Sequence, residues 1–76
     1  MKLEEFVELF ADQFNDTDAS DITASTVLTD LDEWSSLIGL TIIAVVYQKY
    51  KIALTGNDIE SAKTVEDLYN NIMSKA

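Results

Sequence analysis

The stretch Asp32-Glu33-Trp34-Ser35-Ser36-Leu37 is where this chain comes nearest to chemistry. Two hydroxyls stand where a polar run meets an apolar one. A serine in the first turn of a helix is exposed, and the unsatisfied N–H groups and helix dipole there favour an attached anion. A phosphodiester on the Ser36 hydroxyl would suit that place. The same position also suits an N-cap, because serine is among the preferred capping residues. Locally, then, Ser36 has two readings, an attachment point and a cap.

Other chemistries are excluded by what is missing. The 76 residues include no Cys, no His and no Arg. That removes a disulfide framework, a thiolate or imidazole metal site, a Ser–His or Cys–His nucleophile pair and an imidazole base. Carboxylates remain, but a chain this short leaves little room for a substrate cleft of ordinary size, so an enzyme is not expected. The spacing Asp16-x-Asp18-x-Ser20 suggests a calcium loop. It fails at position six, which is Asp21 instead of Gly, and at position twelve, which is Val27 instead of Glu. No metal is expected.

Fourteen acids face five lysines, for a net charge of −9. Residues 1–35 hold ten of the acids and one lysine, while residues 36–76 hold four of each sign. The front half is therefore acidic and the back half neutral. Such a surface repels nucleic acid and steers basic partners. The opening Met1-Lys2-Leu3-Glu4-Glu5 lacks an apolar signal core, which predicts a cytoplasmic protein.

The elements that must position the serines are helical. The chain has no Pro and two Gly, which favours helices over a meander of short strands. Leu3, Phe6, Val7, Phe10 and Phe14 recur at spacings of three and four, predicting a helix over 2–15. Residues 16–35 are rich in Asp, Thr and Ser and read as a long connection, pinned to the core by Ile22, Val27, Leu28 and Leu31. A loop of that length in a compact domain is often functional.

Residues 36–50 are the most apolar part and predict a helix with Ser36 as N-cap. The apolar run Leu37–Tyr47 is too short to span a bilayer. Apolar groups lie on nearly every face, so this helix should be central; a face left open would be adhesive. Residues 51–63 read as a second connection with a turn at Gly56-Asn57-Asp58 and a short helix. Thr64 and Asp67 predict a capped final helix over 64–74, with Val65, Leu68, Tyr69, Ile72 and Met73 as its stripe. The expected fold is all-α: a small four-helix bundle with three main helices, a short third helix and a long first loop.

On these features the chain resembles the acyl carrier protein family across nearly its full length. The resemblance lies in size, acidity, helix order, the long first loop and the junction serine. Family members carry Asp-Ser-Leu, often preceded by Trp, at the start of the second helix; here the residues are Trp34-Ser35-Ser36-Leu37. Thr64-Val65-Glu66-Asp67-Leu68 is similar to the family's approach to its last helix. The resemblance implies one domain over residues 1–76, acting as a monomer. It implies that Ser36 accepts phosphopantetheine from coenzyme A, and that the arm's thiol holds an acyl or aminoacyl group as a thioester. The implied partners are a phosphopantetheinyl transferase and the enzymes that load and unload the cargo. The cofactor carries the reactive atom, and the protein positions it.

Two residue types depart from the family pattern. Ser35 stands where the family has Asp, and is itself a competing attachment site, although Leu37 after Ser36 fits the motif better. The helix after Ser36 has no acid, so its docking should be more apolar than is usual, through Leu37, Ile38 and Thr41. Asp30, Asp32 and Glu33 just upstream would supply steering. Trp34 is either a lid beside the serine or an exposed anchor for a partner. Leu28, Leu40, Ile43, Ala44, Ile59 and Leu68 are expected either to form core or to line a shelter for the acyl chain. The alternative function is an unmodified carrier-like module that binds partners through the apolar second helix.

Overall fold

The computed structural model describes residues 1–76 and contains four α-helices and no strand. Helix α1 spans Leu3–Ala11, α2 Ser36–Tyr50, α3 Gly56–Glu60 and α4 Val65–Met73. The fold is a small all-α bundle with α2 as its longest element. No helix is long and apolar enough to cross a membrane.

Helix α1 follows from its aromatic stripe. Phe6 and Phe10 point inward and are fully buried. The helix stops at Ala11, short of the predicted residue 15, because the next bonds tighten: Gln13 N–H donates to Phe10 O and Phe14 N–H to Ala11 O. Phe14 leaves the helix but stays in the core, its ring 5.0 Å from that of Phe10. Phe6 also meets Tyr69 of α4, with ring centres 6.2 Å apart. At this spacing an aromatic pair adds about 0.5–1.5 kcal/mol beyond its buried area.

The long connection between α1 and α2 is more structured than its composition suggests. It contains two single 3₁₀ turns, Ala19–Asp21 and Leu28–Asp30. The Asp18 carboxylate accepts from the backbone and hydroxyl of Ser20, so it caps the first turn. Ile22 and Leu28 are buried, as expected of pinning residues. Backbone bonds tie the connection to the start of α4: Leu28 N–H to Lys63 O at 2.9 Å, Val65 N–H to Thr26 O at 3.1 Å and Glu66 N–H to Ala24 O at 2.9 Å.

Helix α2 is central on one side only. Gly39, Ile42 and Val46 face the core, whereas Leu37, Leu40 and Tyr47 are 72%, 63% and 50% exposed. Its C-terminus is closed by Lys51 in the left-handed conformation, φ 60°, whose N–H donates to Tyr47 O at 2.8 Å. The Tyr50 hydroxyl donates to Glu5 and fastens the end of α2 to the start of α1. Burial first, and the adjoining Glu5 second, push the Tyr50 phenol up to about 12.

The predicted turn at Gly56-Asn57-Asp58 is instead the first turn of α3. Thr55 and Asp58 form a reciprocal capping box there, and that is enough to start a helix. Thr64 and Asp67 form the second box, at α4, as the sequence predicts. Val65, Leu68 and Ile72 of α4 are fully buried; Met73 lies at the edge of the stripe and is exposed. The Asn71 amide donates to Asp58 O and the Ser61 hydroxyl, and Lys75 pairs with Asp58 at 3.0 Å, joining α4 to α3.

Candidate functional site

The two junction serines divide their labour. Ser35, not Ser36, is the N-cap of α2: its backbone is extended and its hydroxyl accepts from Ile38 N–H. Ser36 is the first helical residue. This corrects the capping role expected for Ser36, and the reason is register: the helix begins at its candidate cap, one residue earlier than that role requires. The Ser36 hydroxyl makes no hydrogen bond within the protein and is exposed. The N–H groups of Ser36 and Leu37 donate to no protein acceptor, as the geometry of a helix start requires. A free hydroxyl thus sits beside two free donors at the positive end of a 15-residue helix.

Two residues hold the chain that leads into Ser36. The Glu33 carboxylate accepts from Asn15 N–H at 3.3 Å, Asp16 N–H at 2.9 Å and the Thr17 hydroxyl at 2.7 Å. The Thr17 bond above all, with the backbone donors behind it, holds this carboxyl below its ordinary range against a smaller opposing effect of desolvation. Glu33 therefore clamps the start of the long connection to the segment before α2. Trp34 is half-buried, with its ring 6.1 Å from that of Phe10. Trp34 and Ser36 also line one groove.

The remaining sequence-predicted residues sort by exposure. Asp30 and Asp32 are exposed, on the segment just before the serines. Leu37 is the most exposed large apolar side chain of the chain, at 72%. Ile38 is half-buried against the core, and the Thr41 hydroxyl donates back to Leu37 O. The open face of α2 carries Leu37, Leu40, Ala44 and Tyr47, spaced by three and four residues, and no charge.

Beside Ser36 lies a half-open groove of about 430 Å³ between α2, α3 and the segment before α2. Leu28, Leu40, Ile43 and Ile59 line it, as four of the six residues expected for a shelter. The other two do not reach it: Ala44 is on the outer face of α2, and Leu68 is buried inside the core. Leu68 thus takes the core role also open to it, whereas Ala44 fits neither expectation, since apolar character does not say which face of a helix a residue occupies. Sequence reasoning missed Gly39, Gly56, Thr29 and Glu60, which also line the groove. The one available signal was that one of the chain's only two glycines interrupts the apolar helix and the other opens α3.

No protein-family model, no curated protein and no solved structure matches this chain.

Proposed function

We propose that the chain is a carrier protein, with Ser36 as the attachment point for phosphopantetheine and α2 as the docking face for its partner enzymes. The observation that carries this reading is the free, exposed Ser36 hydroxyl at the first residue of α2, relieved of capping duty by Ser35. In the attachment reaction the Ser36 oxygen forms a bond to the phosphorus that bears the pantetheine of coenzyme A. The pyrophosphate bond breaks, adenosine 3′,5′-bisphosphate leaves, and the serine proton passes to a base of the transferase. When bound, the arm supplies a thiol that holds an acyl or aminoacyl group as a thioester.

The chain's own contribution is placement. The free N–H groups of Ser36 and Leu37 and the dipole of α2 favour the phosphodiester. The Glu33 clamp and the packing of Trp34 on Phe10 fix the segment that presents the serine. Asp30 and Asp32 steer basic partners towards it, and Leu37 offers them apolar area.

Incubation with coenzyme A and a promiscuous phosphopantetheinyl transferase, followed by intact mass, tests the reading. The expected result is one arm on the wild type and none on Ser36→Ala. No gain with any transferase tried would sink it, and a gain that persists in Ser36→Ala would move the site, with Ser35 first in line.

The second reading, an unmodified docking module, draws on the uncharged open face of α2. It predicts that Ser36→Ala keeps cellular function, whereas Leu37→Ser loses it.

A further inference from the structure

A second groove, of about 390 Å³, lies between helix α1 and the long connection, and shares no lining residue with the groove beside Ser36. Its wall on α1 consists of two short rows. Leu3 and Val7 stand one helical turn apart, and so do Glu4 and Glu8. The opposite wall is Ile22, Thr23 and Ala24 of the connection. Leu3, Val7 and Ala24 are half-buried and Ile22 is buried, whereas Glu4 and Glu8 are exposed. An apolar floor thus carries two carboxylates at its rim.

Nothing in the chain answers those carboxylates. The chain's one ion pair joins Lys75 to Asp58, and neither Glu4 nor Glu8 uses its side chain in a hydrogen bond. Glu4 suits the positive start of α1. Glu8 does not, because it lies in the second half of the nine-residue helix, whose last turn holds no basic residue. Like charges one turn apart also repel each other. Glu8 therefore weakens the helix that carries it. Solubility does not call for the pair, since the chain would remain strongly acidic without both.

We infer that this groove is a second docking site, and that its occupant is a basic amphipathic helix of a partner protein. Charge complementarity selects that partner. A helix with two lysines or arginines one turn apart, beside an apolar pair at the same spacing, matches both rows of α1. Its cations relieve the repulsion between Glu4 and Glu8, and its apolar pair covers Leu3, Val7 and Ile22. A contact of this size is well short of a standard interface, so it is weak and reversible. The docked helix leaves the groove beside Ser36 open, because the two grooves have no residue in common. The inference goes beyond the carrier reading and does not depend on an arm at Ser36.

The probe is a fluorescently labelled peptide of about 14 residues, built from Leu and Lys in an amphipathic helical pattern. A peptide of the same composition with the pattern scrambled is its control. Anisotropy titrations at low salt give the affinities, and circular dichroism checks the folding of each variant. The wild type is expected to bind the amphipathic peptide saturably and at least about fivefold more tightly than the scrambled one. Glu4→Gln combined with Glu8→Gln should weaken binding at least about fivefold. Asp16→Asn combined with Glu60→Gln removes as much charge away from this groove and should change binding by less than about twofold. Equal binding of the two peptides overturns the inference, since the attraction would then be bulk charge alone. Equal weakening by the two double variants does the same. So does loss of binding in Leu37→Ser with none in the Glu4 and Glu8 variant, which would place the peptide on α2. Should that double variant not fold, Glu8→Gln alone takes its place, with an expected loss of at least about twofold. In the free protein Glu8→Gln should melt at or above the wild type. A lower melting temperature would show that Glu8 serves the fold, and would overturn the inference. The peptide needs no arm, so a Ser36 that takes none leaves these results standing while the carrier reading falls.

Discussion

Glu33 stands three residues before Ser36, and its carboxylate is spent on the chain itself. Its three donors belong to residues 15–17, so the charge holds a loop instead of facing a partner. The consequence is a pH dependence of known sign. A carboxyl held below its ordinary range stabilises the fold above the ordinary glutamate pKa, and that stability is lost as pH falls through the lowered value. Glu33→Gln should therefore melt below the wild type at pH 7, and the gap should close as the pH is taken below about 4. Thermal melts of the two proteins across that range check this, and a gap that widens in acid would contradict it. The serines make a second test at this scale. Ser35→Ala removes the α2 cap and should cost about 1 kcal/mol, or about 4–8 °C in melting temperature, whereas Ser36→Ala should stay within about 0.5 kcal/mol of the wild type.

At the scale of elements, what the sequence reveals depends on whether the signal is local. Helix α4 is legible because its cap, Thr64 with Asp67, and its stripe all lie within ten residues. The start of α2 is legible because the sequence changes there from polar to apolar. The bonds from residues 24–28 to residues 63–66 are not legible, since backbone donors and acceptors are the same in every residue. The Glu33 clamp is hidden likewise, because two of its three donors are backbone N–H groups. The closure of α2 is a case where the residue type argues against the conformation adopted. Lys51 takes the left-handed φ of 60° that a Cβ disfavours. Lys51→Gly relieves that strain but frees the unfolded chain and removes the lysine from above the Tyr47 ring. The net expected gain is about 0.5 kcal/mol, measured by urea unfolding with the slope unchanged.

For the whole molecule, the net charge of −9 and the uncharged open face of α2 belong to different regions and act at different stages of an encounter. Charge distributed over residues 1–35 acts at a distance and is screened by salt. The apolar face acts only on contact. Partner binding should therefore separate kinetically. Raising the salt from about 0.05 M to about 0.5 M shortens the Debye length from more than about 10 Å to less than about 8 Å, and should slow association with any basic partner that docks on α2 several-fold. Dissociation should change little, because the contact that must break carries few charges. Leu37→Ser should do the reverse. Burying a leucine contributes about 1.5–3 kcal/mol, so its loss should speed dissociation by roughly tenfold or more while leaving the salt dependence of association intact. Surface-binding kinetics at two salt concentrations would read both. If salt altered dissociation as strongly as association, the docking face would have to include acids from the front half of the chain, and Asp30 and Asp32, the exposed acids just upstream of Ser36 in sequence, would be the first to substitute.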